Sequence, residues 1–271
     1  MHDAGPDAPT IHEQVRELYR AAAKTSTTRE PHPMATALYG QEDLPVGALA
    51  ASLGCANLAV LVELPAGTTV VDLGSGGGVD ALACARRVGP SGRVIGVDLT
   101  PEMINLATRH AAEAGLTNLE FRLGRIEALP VDDASADVVI SNCAISLSPA
   151  KDRVLTEAWR VLKPGGRLAI TDLATLRPLP ASIRDALATR LGLIGGTPPA
   201  EEYGEALDRI GFADTSVQVL HAFSLTDVAL LEATALGGGI LAAVPESDLH
   251  AADGALAALH LAATKPAPAA S

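Results

Sequence analysis

The run Val70-Val71-Asp72-Leu73-Gly74-Ser75-Gly76-Gly77-Gly78 constrains the fold of this chain more than any other stretch. Thr69 to Leu73 reads as a buried strand that runs into glycines and then into a helix through Arg87. Glycine has no Cβ, so such a turn bends tightly and lets a ligand touch the backbone, while the helix start offers N–H groups. The pattern then repeats. Arg93 to Val97 is a second strand, and Pro101 opens the next helix at its first position, with Thr100 as cap and Gly115 as stop. Leu119 to Leu123 and Asp137 to Ser141 are further strands. A helix from Lys151 to Leu162 ends at Pro164-Gly165-Gly166, and Arg167 to Thr171 follows as a strand. Strands alternating with helices predict an α/β fold with a mainly parallel sheet covered on both faces.

The flanks are less regular. Residues 1–10 read as a loose arm, and Ile11, Val15, Leu18 and Tyr19 recur at helical spacing from Ile11 to Lys24. Another helix is expected over Gly47 to Leu58. Ala181 to Leu191 and Pro199 to Ile210 read as helices and Ser216 to Phe223 as a strand. Ala255 to Thr264 reads as a closing strand, although its alanines also permit a helix. The organisation expected is an arm and helix (1–39), a ligand-binding α/β domain (40–176), an α+β region covering the substrate (177–264) and a disordered tail (265–271).

With 20 basic against 32 acidic residues the net charge is −12, which argues against nucleic acid and anionic membranes as partners. No apolar run reaches the roughly 20 residues of a bilayer span. The opening MHDAGPDAPT lacks the basic-then-apolar layout of a secretory signal. Cys55, Cys84 and Cys143 are too few and too scattered for a disulfide framework. Free thiols in a reducing, cytoplasmic compartment are expected, with a small-molecule substrate and a monomer or homodimer. The seven histidines form no metal-ligand spacing; His32 and His221 could approach a substrate, but a solvent-exposed or packing role is the reading favoured for both.

The glycine turn alone accommodates a dinucleotide or an S-adenosyl ligand. The third glycine of a dinucleotide fingerprint would fall at Val79. Asp72 before the turn suits an ammonium better than a pyrophosphate, and Asp98 at the end of the second strand can accept from ribose hydroxyls. These details favour the S-adenosyl ligand. Ser75 and Leu99 belong to the same candidate set; Met103 reads either as adenine contact or as helix core, and Ile126-Glu127 can flank the base edge. Ser141-Asn142-Cys143 ends the fourth strand, where open α/β sheets bind ligands, so the transferable methyl is expected to point there.

With these residues in view, the chain resembles the arsenite S-adenosylmethionine methyltransferases. The resemblance rests on LPVGALAASLGCANL (44–58), the stretch 70–107, LTNLEFRLGRIEALP (116–130) and SNCAISLSPAKDRVLTEAWRVLKPGGRLAITD (141–172), with the weaker EEYGEALDRIGF (201–212). It implies a Rossmann-like class I methyltransferase sheet with S-adenosyl-L-methionine as cofactor. Contacts are implied from Asp72, Gly74, Gly76, Asp98, Met103, Ile126, Glu127 and Asn142, and Tyr19 is implied to help close the N-terminal helix over the cofactor. It also implies that Cys55 and Cys143 are thiols facing the substrate. Trivalent arsenic is soft and thiophilic, so two or three thiolates can hold it with its lone pair free to attack the methyl carbon. The family's third substrate thiol is replaced here: the segment reads Leu193-Ile194-Gly195-Gly196-Thr197. Gly54-Cys55-Ala56-Asn57-Leu58 and Ser146 also depart from the usual pattern. Two thiols match an organoarsenical, which exchanges two ligands, better than inorganic arsenite, which exchanges three. A small organic metabolite is the alternative acceptor, and a catalytically idle binding protein a third reading. Cys84, in the helix after the glycine turn, reads as packing.

Overall fold

The computed structural model describes residues 10–25, 30–31, 33–52, 55–190, 197–224, 227 and 244–268. Their strands are β1 (Thr69–Leu73), β2 (Arg93–Asp98), β3 (Leu119–Leu123), β4 (Ala136–Asn142), β5 (Leu162–Thr175), β6 (Ala213–Phe223) and β7 (Leu256–Thr264). All seven join one sheet in the order β3-β2-β1-β4-β5-β7-β6. β1 to β5 pair in parallel, and β7 runs antiparallel between β5 and β6. The helices are α1 (Ile11–Thr25), α2 (Pro33–Tyr39), α3 (Val46–Ala50), α4 (Leu58–Leu61), α5 (Val79–Val88), α6 (Pro101–Glu113), α7 (Lys151–Val161), α8 (Ala181–Arg190), α9 (Ala200–Ile210) and α10 (Glu246–Ala252). This is the Rossmann-like class I methyltransferase architecture.

Side chains alternate across β1 because a strand repeats every two residues. Val71 and Leu73 pack with Val154, Leu155 and Ala158 of α7 and Leu207 of α9. Val70 faces the other way, against Ala81, Cys84 and Val88 of α5. Each such aliphatic side chain, fully buried, stabilises the fold by about 1.5–3 kcal/mol. Cys84 is fully buried there, as a packing residue, and burial pushes its thiol pKa well up. From β1 the chain builds outward through β2 to β3, then crosses back to β4 on the other side. The crevice at the carboxyl ends of β1 and β4 is the resulting ligand position.

Several expectations are corrected. The helix expected over Gly47 to Leu58 is two short ones, α3 and α4, with Cys55 between them. Backbone groups there bond side chains instead of a helical ladder: Cys55 N–H donates to Asn142 Oδ1, and Ala56 C=O accepts from Tyr39 and Asn142. Thr100 holds the cap position of α6 without a side-chain cap bond; its N–H donates to Asp98 Oδ1 at 2.8 Å. Pro164-Gly165-Gly166 does not precede a new strand but lies within β5, where the register against β4 shifts. β6 and β7, which fall in the expected covering region, extend the main sheet. Lys265, the first residue of the expected tail, exchanges backbone bonds with Gly165 and Gly166, and its ammonium donates to the carbonyls of Trp159 and Leu162. Residues 1–9, most of the expected arm, lie outside the described residues, as do 269–271.

Candidate functional site

Two adjoining cavities open at the carboxyl ends of β1 and β4 and share Tyr19, Gly74, Asn142 and Cys143 in their walls. The glycine turn forms the floor. Gly74 has φ +75°, and a Cβ there would stand 2.4 Å from Cβ of Ala144. Gly76, at φ +50°, faces open space, which leaves room for a ligand against the backbone.

Asp72, Asp98 and Asp80 bring three buried carboxylates to this floor. Asp98 is braced from both sides, accepting from Gly76 N–H at 2.9 Å and Thr100 N–H at 2.8 Å. Burial pushes its pKa up, and the N–H bonds from Thr100 and Gly76 oppose that rise. Asp72 has no such relief: its Oδ2 is buried without a hydrogen-bond partner. Burial, reinforced by Asp80 and Asp98, pushes its pKa well above the carboxylate range. A cationic ammonium is the group that would satisfy this oxygen, since an unpaired buried acceptor carries a desolvation cost of about 1–3 kcal/mol. Ser75 Oγ beside it is likewise buried and unpartnered. The residues present therefore fit the amino-acid end of an S-adenosylmethionine molecule.

The larger cavity continues past Asp98 and Leu99 to Ile126 and Glu127. Glu127 Oε1 accepts from Ser148 Oγ and lies 2.9 Å from His12 Nε2. Burial alone would raise the Glu127 pKa, but the bonds from Ser148 and His12 outweigh it and hold the carboxyl below its ordinary value. α1 closes this end, with His12, Val15 and Tyr19 in the wall. A capping box starts α1: Thr10 N–H donates to Glu13 Oε2 at 2.7 Å, and Glu13 N–H to Thr10 Oγ1 at 3.3 Å.

The structure thus gathers Asp72, Gly74, Ser75, Gly76, Asp98, Leu99, Ile126, Glu127, Asn142 and Cys143 around two connected spaces. Met103 lines neither; it is fully buried against Ala23, Ala51 and Leu106. Cys55 and Cys143 are joined as a disulfide, with Cα atoms 6.6 Å apart, which corrects the expectation of two free thiols. The fold brings together positions 88 residues apart by seating the loop before α4 on the end of β4. Cys143 holds a left-handed backbone, φ 54°, and its N–H donates to Thr171 C=O at 2.7 Å. Cys55 packs against an apolar cluster of Ile183, Phe223, Val244 and Leu256. His221 lies exposed on β6 beside Asp227, away from these cavities, and His32 and the segment 191–196 fall outside the described residues.

Sequence reasoning missed Asp80, Tyr39, His12 and Ser148. His12 carried a signal, since it shares a helical stripe with Val15 and Tyr19. Asp80 carried a weaker one, as an acid in the first turn of the helix after the glycines.

The methyltransferase domain family matches residues 64–208. The chain is similar to arsenite methyltransferases from Halobacterium salinarum, 45% identical over 59% of this chain and 41% of the relative, and from Aquipseudomonas alcaligenes, 41% identical over 61% and 50%. It spans half or less of the length of those two relatives. Among solved structures it is similar to an arsenic(III) S-adenosylmethionine methyltransferase from Chlamydomonas reinhardtii, 30% identical with a TM-score of 0.63 over 88% of this chain and 75% of that one.

Proposed function

The chain belongs to the arsenite methyltransferase family, and from that premise we propose that it methylates a trivalent arsenical held by Cys55 and Cys143, an organoarsenical in preference to inorganic arsenite. The observation that carries this reading is that Cys143, which lines both cavities, is bonded to Cys55, so that the two cysteine sulfurs meet beside the crevice. Reduced to thiols, the pair supplies the two soft ligands that a methyl- or arylarsenical exchanges, and no cysteine stands in the segment where the family has its third. The apolar cluster beside Cys55 suits the organic substituent.

Asp72 would hold the ammonium of the cofactor, Asp98 its ribose hydroxyls, and Leu99, Ile126 and Glu127 its base. When bound, S-adenosylmethionine supplies an electrophilic methyl carbon on a sulfonium. The thiolates orient the arsenic and leave its lone pair unshared as the nucleophile. The bound group would thus give up its methyl to the arsenic lone pair, with the carbon–sulfur bonding electrons retained by the sulfur of the S-adenosylhomocysteine left behind. No proton has to be removed from the nucleophile, so positioning carries most of the rate. α1 sets Tyr19 and His12 in the wall of the larger cavity.

Single-turnover methylation by the reduced protein tests the preference. Phenylarsenite and methylarsenite are expected to react several-fold faster than arsenite; faster reaction of arsenite overturns it. The disulfide favours one second reading, in which the two cysteines are structural and the acceptor is a small organic metabolite. A Cys143→Ser variant separates the two, since an organic acceptor tolerates the change and an arsenical does not.

A further inference from the structure

The carboxamide of Asn142 is saturated by protein partners. Its Nδ2 donates to Ala56 C=O at 2.7 Å and Asp80 Oδ2 at 2.9 Å, with Tyr39 Oη at 3.3 Å. Its Oδ1 accepts from Cys55 N–H at 2.9 Å and Thr171 Oγ1 at 2.8 Å. A carboxamide has two N–H donors and two acceptor positions, so this set uses all of them. Asp80 continues the network: its Oδ1 accepts from Leu58 N–H at 3.2 Å and lies 2.8 Å from Tyr39 Oη, whose one proton it shares with Ala56 C=O. Between them the two side chains bond the backbone at residues 55, 56 and 58, and so hang the Cys55 segment on the end of β4 and the first turn of α5.

We propose that Asn142 and Asp80 are positioning residues of the cysteine pair, holding the Cys55 backbone where its sulfur meets that of Cys143. Asn142 thereby leaves the set of direct cofactor contacts that the family resemblance implies. The assignment rests on the two-thiol reading of the site. Two thiols clamp one arsenic atom well only when each sits at high effective concentration for the other, and a segment freed from its anchors loses that advantage.

The test uses the full chain carrying Asn142→Ala or Asp80→Asn. Three quantities are measured: S-adenosylhomocysteine affinity, phenylarsenite affinity of the reduced protein, and the Cys55–Cys143 dithiol–disulfide equilibrium in glutathione buffers, read by mass spectrometry of the linked peptides. A cooperative thermal melt like the parent's shows that the variants fold, and phenylarsenite affinity and the thiol equilibrium are each expected to fall by about tenfold or more, beyond any change in nucleoside affinity. A thiol equilibrium unchanged in both variants overturns the proposal, as does a loss of nucleoside affinity that leaves the thiols unaffected. A parent chain that ignores phenylarsenite, with variants that still shift the thiol equilibrium, sinks the arsenical reading and leaves the brace standing. Should Asn142→Ala fail to fold, the near-isosteric Asp80→Asn and Thr171→Val decide by the same equilibrium.

Discussion

Asp72 concentrates the chemistry of the site at one atom. Its carboxyl is buried on the floor of the crevice, its Oδ2 lacks a partner, and its pKa is pushed well up by burial and by Asp80 and Asp98. A folded pKa above the unfolded value means that Asp72 favours the fold below the unfolded value and loses that contribution as pH rises through the folded one. An ammonium at the same oxygen reverses the preference, because it favours the ionised form. S-adenosylhomocysteine binding is therefore expected to release a proton and to tighten as pH rises, with Asp72→Asn weakening binding and flattening the dependence. Calorimetry in buffers of different ionisation enthalpy measures the proton directly; proton uptake would contradict this account. Gly74 is the second decisive residue. With φ +75° and a Cβ of Ala144 2.4 Å from where its own would lie, Gly74→Ala is expected to destabilise the chain by about 1–3 kcal/mol, read by urea denaturation.

Among elements, β7 ties the last strand into the sheet. It pairs with β5 and β6 at once, and Leu259 is fully buried in the core against α7 and α9. Leu259→Ala is expected to cost about 2–5 kcal/mol in urea denaturation while leaving the cavity residues intact. The stretch between α3 and α4 shows the opposite principle. Its sequence has helical spacing, yet the backbone at Cys55 and Ala56 bonds Asn142 and Tyr39 and the helix breaks. Tertiary partners outbid a local propensity of a few tenths of a kcal/mol per residue.

For the whole molecule, the acidic surface and the ligand crevice make separate predictions. A net charge of −12 leaves little attraction for nucleic acid. Ligand that binds only the folded chain at about 100-fold above its Kd stabilises by about 2.7 kcal/mol. For a chain of this size that is a rise in Tm of roughly 5–10 °C. S-adenosylhomocysteine is expected to give that shift in a thermal melt and a DNA oligonucleotide none; an equal shift with DNA would contradict the charge argument. Among the described residues no helix is long and apolar enough to cross a membrane.

The sequence by itself determined the parallel sheet, the glycine turn, the acids Asp72 and Asp98 and the burial of Cys84, because period-two apolar runs, helix stops and missing Cβ atoms act over a few neighbouring residues. The tertiary structure alone decided that β6 and β7 complete the main sheet and that His12 reaches Glu127. It alone showed that the amide of Asn142 is taken up by the protein, and that Cys55 and Cys143 meet as a bonded pair instead of standing free. Those facts join residues tens of positions apart. Which distant groups satisfy a buried amide or carboxylate is settled by the path of the backbone, and local spacing carries no record of it.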